Sequence, residues 1–124
     1  MTEVHWLKQP EAHDYAAAND YLQLVASPAK ATALAEELEK AEMSQFKAKD
    51  ILRSSKLEHL PKDNLHVARD LKKIADNVEL SPILLIRGDL ATNRPLTIAD
   101  GYHRVCAALH LDENIEVPCK IVDL

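Results

Sequence analysis

Glycine is scarce in this chain of 124 residues, which contains only Gly88 and Gly101. Cysteine is equally scarce, with Cys106 and Cys119, and the aromatic residues Phe, Trp and Tyr make up 4% of the chain. Two cysteines without closely spaced histidines do not supply the four ligands of a structural zinc site. We therefore expect no metal site built from protein ligands alone.

Long hydrophobic runs are also absent. No stretch approaches the roughly 20 apolar residues of a membrane-spanning helix, and the N-terminus lacks the basic-then-apolar pattern of a signal peptide. We therefore expect a cytoplasmic protein that does not span a membrane, in which the cysteines stay reduced. Cys119 alternates with Val117 and Ile121, a pattern that predicts a small core residue.

The chain has no excess of basic residues. It contains 15 Lys and Arg against 20 Asp and Glu, which gives a formal net charge of -5. A protein that holds duplex DNA through its phosphates is expected to present a basic surface, so DNA is not the expected partner. The hydrophobic content of 47% and the charged content of 28% are typical of a globular chain, and the length fits one domain.

Two amphipathic helices are predicted in residues 1–44. Their apolar positions recur at helical spacing and are Tyr15, Ala18, Leu22 and Val25 in the first helix and Leu34, Leu38 and Ala41 in the second. Ser27 followed by Pro28 predicts the start of the second helix, because serine caps a helix and proline tolerates its first position. We expect a helical hairpin that extends the domain at its N-terminal side.

Short strands and helices alternate over residues 45–124. Asp50 is the predicted cap of a short helix, and Asp63 or Asn64 caps a longer one with apolar positions at Val67 and Ile74. A further helix is predicted from Gly101 onward. The predicted strands cover residues 45–49, 83–86, 96–99 and 116–122.

The segment Asp100-Gly101-Tyr102-His103-Arg104 stands between a predicted strand and a predicted helix. Glycine lets the backbone approach a bound group, and the free N–H groups of a helix start favour an anion. Together with the cationic side chains of His103 and Arg104, this junction predicts a phosphate-binding site. The alternative is a tight turn whose histidine and arginine are only solvated.

This order of elements resembles the ParB/sulfiredoxin superfamily. The resemblance covers residues 45–124 and is strongest over "PLTIADGYHRVCAALHLDENIEVPCKIVDL". It implies an α+β fold with a small mixed sheet and packed helices, to which the predicted N-terminal hairpin is added. It also implies that Gly101, His103 and Arg104 contact the phosphates of a nucleotide, with ATP and Mg²⁺ as the expected cofactors.

The sequence differs from each individual branch of the superfamily, and these differences exclude some of the expected functions. Sulfiredoxins carry a reactive cysteine where this chain has Tyr102, so sulfinic acid reduction is not expected. The chain shows no helix-turn-helix region after the last predicted strand, so a role in DNA partition is not expected either. The layout also resembles the free serine kinases, but Asn64 and His66 stand where their acidic base is expected.

Two hypotheses follow from these residues. In the first, the protein is a phosphotransferase or nucleotide hydrolase, with His66 as general base and Asp100 as a ligand of the nucleotide's Mg²⁺ or a second proton acceptor. Asp100 has the alternative role of accepting N–H groups in the turn. In the second hypothesis, the domain senses a nucleotide or binds a protein without catalysis. Asp50 and Arg53 are weaker candidates for the same site.

Overall fold

The computed structural model describes residues 3–124, so the first two residues of the predicted N-terminal extension lie outside it. The described residues form five helices and four strands, which confirms the predicted α+β class. The helices are α1 (Ala12–Leu22), α2 (Pro28–Lys40), α3 (Ala48–Ser55), α4 (Leu65–Ala75) and α5 (Tyr102–Leu111). The strands are β1 (Ser44–Lys47), β2 (Ile83–Ile86), β3 (Thr97–Asp100) and β4 (Glu116–Val122).

The four strands form one mixed sheet in the order β1-β4-β2-β3. Strand β4 is antiparallel to β1 and parallel to β2, and β3 returns antiparallel beside β2. The last strand in chain order therefore lies inside the sheet. The turn between β2 and β3 lies at one end of β2, and the junction between β3 and α5 lies at the other.

Both faces of the sheet are covered by helices. Ile83 and Leu85 of β2 join a core that includes residues of α3, α4 and α5. Leu84 and Ile86, which point to the opposite face, join a second core with α1 and α2. The apolar run of β2 is thus explained by burial on both sides. The N-terminal hairpin therefore covers this face of the sheet at β2, β3 and β4.

A buried lysine links the hairpin to the sheet. Lys120 of β4 is 3% exposed, and its Nζ donates a hydrogen bond of 2.9 Å to the carbonyl of Glu39 near the C-terminal end of α2. The same Nζ lies 5.5 Å from the ring centroid of Tyr15. A cation is favourable at this end of a helix, because the last carbonyl groups carry partial negative charge.

Helix starts follow the predicted caps in two cases. Ser27 Oγ accepts a hydrogen bond from the Lys30 N–H, and Asn64 rather than Asp63 caps α4. The prediction that Asp50 caps α3 is wrong, since the helix starts at Ala48. The N–H of Ala48 is bonded instead to a backbone carbonyl of the segment before β4, which makes a side-chain cap unnecessary there.

Two of the apolar positions predicted to lie in the hairpin helices fall outside them. Helix α1 ends at Leu22, leaving Val25 61% exposed in the connection, and α2 ends before Ala41. Cys106 and Cys119 are free and fully buried, as predicted for core residues. Within residues 3–124, no helix is both long and apolar enough to cross a bilayer.

Candidate functional site

Gly101 forms the junction between β3 and α5. Its φ of 112° lies in the left-handed region, which residues with a side chain rarely adopt. A Cβ atom at this position would overlap Ile83 Cδ1 and lie 2.9 Å from Arg104 Nη2. The glycine is therefore required by the backbone conformation and by close packing of the protein itself, as well as being available to a ligand.

The N-terminus of α5 has no side-chain cap. The N–H of Val105 donates to the Gly101 carbonyl at 3.1 Å, so the preceding amides of residues 102–104 have no acceptor within the helix. Two of these residues, His103 and Arg104, line a cavity together with Gly101. Such a helix start carries partial positive charge and favours an anion.

Arg104 is less accessible than its sequence position suggests. Its side chain is 18% exposed, and Nη2 donates to Asp100 Oδ2 at 3.0 Å and to the Pro82 carbonyl at 3.4 Å. Its Nε is buried and has no hydrogen-bond partner among residues 3–124. The guanidinium is thus held by the protein at Nη2, and its remaining edge is the part that can meet a ligand.

Asp100 accepts a hydrogen bond from the Arg104 side chain. The sequence had suggested the N–H groups of the turn as its alternative donors. Burial raises the pKa of Asp100, Arg104 opposes this effect, and the neighbouring carboxylate of Asp14 on α1 raises the pKa further. Asp14 is itself buried and accepts hydrogen bonds from Ser81 Oγ and the Glu11 N–H. The N-terminal hairpin therefore contributes a carboxylate next to Asp100, at the junction between β3 and α5.

Helix α4 supplies the opposite wall of a cavity of about 250 Å³ beside Gly101. Four polar residues of α4, spaced three to four positions apart, face this cavity because such spacing places them on one side of a helix. They are His66, Arg69, Asp70 and Lys73. The structure thus brings the predicted base His66 next to the predicted phosphate-binding residues.

The two histidines of the cavity lie side by side. The ring centroids of His66 and His103 are 4.6 Å apart. Burial lowers the pKa of His103, and proximity to His66 lowers it further, while Asp70 has the opposite effect. His103 is therefore expected to be neutral at pH 7 and to act as a neutral hydrogen-bonding group rather than as a cation.

Asp70 is the functional candidate that the sequence reasoning missed. Burial raises the pKa of its carboxyl, although Arg104, Lys73, His103 and His66 all act in the opposite direction. A carboxyl group whose pKa is raised by burial beside a cavity is a candidate proton acceptor. The signal in the sequence was its position four residues after His66, which places both on one helix face.

The weaker candidates Asp50 and Arg53 do not reach this cavity. They form an ion pair of 3.2 Å on α3 and line a separate groove at the opposite end of β2. Asp50 and Arg53 therefore belong to a charged region that is separate from the cavity beside Gly101.

No family model, curated protein or solved structure matches the chain. The resemblance to the ParB/sulfiredoxin superfamily consequently stays a prediction, and the functional argument rests on the geometry of the cavity.

Proposed function

We propose that the cavity between α4 and α5 binds the phosphate groups of a nucleotide or of another phosphorylated small molecule. The supporting observation is the uncapped start of α5 facing Arg69 and Lys73 across a shared cavity. Backbone amides at a helix start and basic side chains are the groups that proteins use for phosphate. We propose ATP, accompanied by Mg²⁺ in solution, as the first nucleotide to test.

The size of the cavity favours the phosphates over the whole nucleotide. Its volume of about 250 Å³ lies below the roughly 300–1,000 Å³ of pockets that enclose a drug-sized ligand. A di- or triphosphate would fill it, and the nucleoside would extend toward solvent. Selectivity for the base is therefore expected to be weak.

Adjacent lysines of α4 provide a test of phosphate binding with a matched control. Lys73 lines the cavity, whereas Lys72 pairs with Asp76 at 3.1 Å outside it. Calorimetric titration with inorganic phosphate and with ATP should show about ten- to a hundredfold weaker binding for Lys73→Gln, the usual effect of losing a charge-assisted hydrogen bond. Lys72→Gln should bind as the wild type does. Equal affinities for both variants and the wild type would refute phosphate binding here.

We further propose that the bound nucleotide serves a phosphoryl transfer, with Asp70 as the general base. Asp70 would take the proton of an attacking hydroxyl group, whose oxygen forms a bond to the terminal phosphorus as the bond to the bridging oxygen breaks. The nucleoside diphosphate leaves with that oxygen. The basic side chains and the start of α5 would stabilise the charge that develops on the phosphoryl oxygens. Asp70 supports this role better than His66, because its side chain is less exposed and burial raises the pKa of its carboxyl.

The residues present fit Mg²⁺ less well than they fit phosphate. Asp100, the ligand expected from the sequence, is engaged by Arg104, and both burial and Asp14 raise its pKa, which opposes the charged form that a metal requires. Among residues 3–124, no group of three or more His, Cys, Asp or Glu side chains is arranged to hold a metal. Asp100 is therefore not proposed as a ligand of Mg²⁺.

Turnover distinguishes the enzyme from the second hypothesis, a non-catalytic nucleotide-binding module. ATP should be consumed in magnesium buffer in the presence of one of a panel of small hydroxylated metabolites. Asp70→Asn should abolish this turnover and retain ATP binding, and His66→Ala should lower it by about a hundredfold or less, the lower range for general base catalysis. ATP binding without turnover across the panel would support the non-catalytic module instead.

A further inference from the structure

A second cavity lies at the other end of β2. It is a groove of about 440 Å³ between α3 and the turn that connects β2 to β3. Ile83 at the start of β2 contacts the Gly101 junction, whereas Leu85 and Arg87 at its end line the groove. The groove shares no lining residue with the phosphate cavity. It is also large enough for a small ligand.

The floor of the groove is apolar. It is formed by side chains from α3, the sheet and the turn, namely Phe46, Ile51, Leu85, Leu96 and Ile121. Phe46 is 39% exposed, which is unusual for a large aromatic side chain in a chain that has so few. Ile51 and Leu85 are buried at the base of the groove, and the accessible apolar surface is that of Phe46, Leu96 and Ile121. A ligand that displaces water from this surface gains free energy.

The walls of the groove are held in place by backbone hydrogen bonds. The Leu96 N–H donates to the Ser54 carbonyl at 3.0 Å and fastens the turn to α3. Within the turn, Asp89 and Arg94 exchange two backbone hydrogen bonds of 2.8 and 2.9 Å. These hydrogen bonds fix the walls through contacts within the protein, which lowers the entropic cost of binding.

Basic side chains surround the apolar floor. Four basic and two acidic residues line the groove, although the chain as a whole has a net charge of -5. Arg53 and Arg87 form exposed ion pairs with Asp50 and Asp123. Within residues 3–124, the other two basic residues of the groove have no carboxylate partner.

Those two residues are Lys56, at the end of α3, and Arg94, in the opposite turn. We propose that this groove binds a small amphipathic anion, with a carboxylate or phosphate headgroup between Lys56 and Arg94 and an apolar chain or ring on the floor. The headgroup forms ion pairs with the two basic side chains, and the apolar body covers the exposed side of Phe46. Neither a purely apolar molecule nor a bare inorganic anion satisfies both parts of the site.

The two glycines provide one reporter for each cavity, because Gly88 lines the groove and Gly101 lines the phosphate cavity. In protein containing isotope-labelled glycine, a nuclear magnetic resonance spectrum shows two amide signals. Octanoate should shift the Gly88 signal and leave the Gly101 signal unchanged. Octanol, which lacks the anionic headgroup, and acetate, which lacks the apolar chain, should shift the Gly88 signal only at far higher concentrations. Octyl phosphate should also shift Gly88, and its affinity relative to octanoate identifies the preferred headgroup. Inorganic phosphate tests the Gly101 cavity alone, so the two proposals can fail separately.

Charge-neutralising variants test the position of the headgroup. Lys56→Gln and Arg94→Gln should each weaken octanoate binding about tenfold, the lower range for a lost charge-assisted hydrogen bond. Lys30→Gln, an exposed position on α2, changes the net charge equally and should have no effect. The proposal is overturned if octanoate fails to shift Gly88 at millimolar concentration, if octanol binds equally well, or if the control weakens binding as much as the groove variants.

Discussion

Replacing Gly101 with alanine should destabilise the fold through two separate effects. The left-handed backbone costs a residue with a Cβ about 1–2 kcal/mol, and forcing a methyl group into a packed site costs about 1–3 kcal/mol. The overlap is with Ile83 Cδ1, and Ile83 is fully buried, so its side chain cannot move aside without disturbing the core. We expect the free energy of unfolding in urea to fall by about 2–5 kcal/mol in total.

A double-mutant cycle separates the two effects. Ile83→Val removes the overlapping Cδ1 and by itself should cost about 0.5–1.5 kcal/mol. In the double variant, the Gly101→Ala change should cost less by about 1 kcal/mol or more, within the range of couplings measured between contacting residues. Urea denaturation of the wild type, both single variants and the double variant gives this coupling. Strict additivity would refute the claim that packing against Ile83 requires a glycine, and a total loss below about 1 kcal/mol would refute the backbone argument as well.

Three further outcomes are expected. Burial raises the pKa of both thiols, to about 12 for Cys119, so iodoacetamide should modify Cys106 and Cys119 far more slowly in the folded protein than in urea; equal rates would contradict their burial. Lys120→Ala should lower the free energy of unfolding by about 1.5–3 kcal/mol through loss of the charged donor to Glu39, and an unchanged urea midpoint would contradict this link. Burial raises the pKa of Asp70, so the folded state favours the protonated carboxyl, and the stability that this gives is lost as the pH rises through the raised pKa. Asp70→Asn should therefore melt above the wild type near neutral pH, and the difference should disappear in acid. A difference independent of pH would contradict the assignment.

Several elements could be predicted from the sequence because their signals are local. Strands Ile83–Ile86 and Glu116–Val122 have the predicted bounds, since an apolar run and an alternating pattern each identify a buried strand without reference to distant residues. Asn64 was one of the two predicted caps of α4, and its side chain accepts hydrogen bonds from two N–H groups of the first turn. Cap chemistry depends on residues within one turn, which explains this success.

The residues that sequence reasoning missed depend on tertiary packing. Asp70 and Lys73 look like part of a solvated helix face, and only the packing of α4 beside α5 brings them to the Gly101 junction. Lys120 breaks the apolar pattern of β4, and its burial requires the carbonyl of Glu39 on a distant helix as a partner. Arg104 was expected to be open to ligand, but its contact with Asp100 uses part of the guanidinium.

The central position of β4 has a consequence for the order in which the protein can fold. Strand β1 precedes β4 by about 70 residues. Among the strands of residues 3–124, β1 pairs with β4 alone, and β2 pairs with β4 and β3. While the chain is being synthesised, β2 and β3 can pair locally, but β1 has no strand to join until residues 116–122 have left the ribosome. Bringing such distant strands together lowers the conformational entropy of the intervening chain before any stabilising contact has formed. The complete sheet is therefore expected to form late, after translation of β4. The N-terminal helices are expected to pack against its face only then.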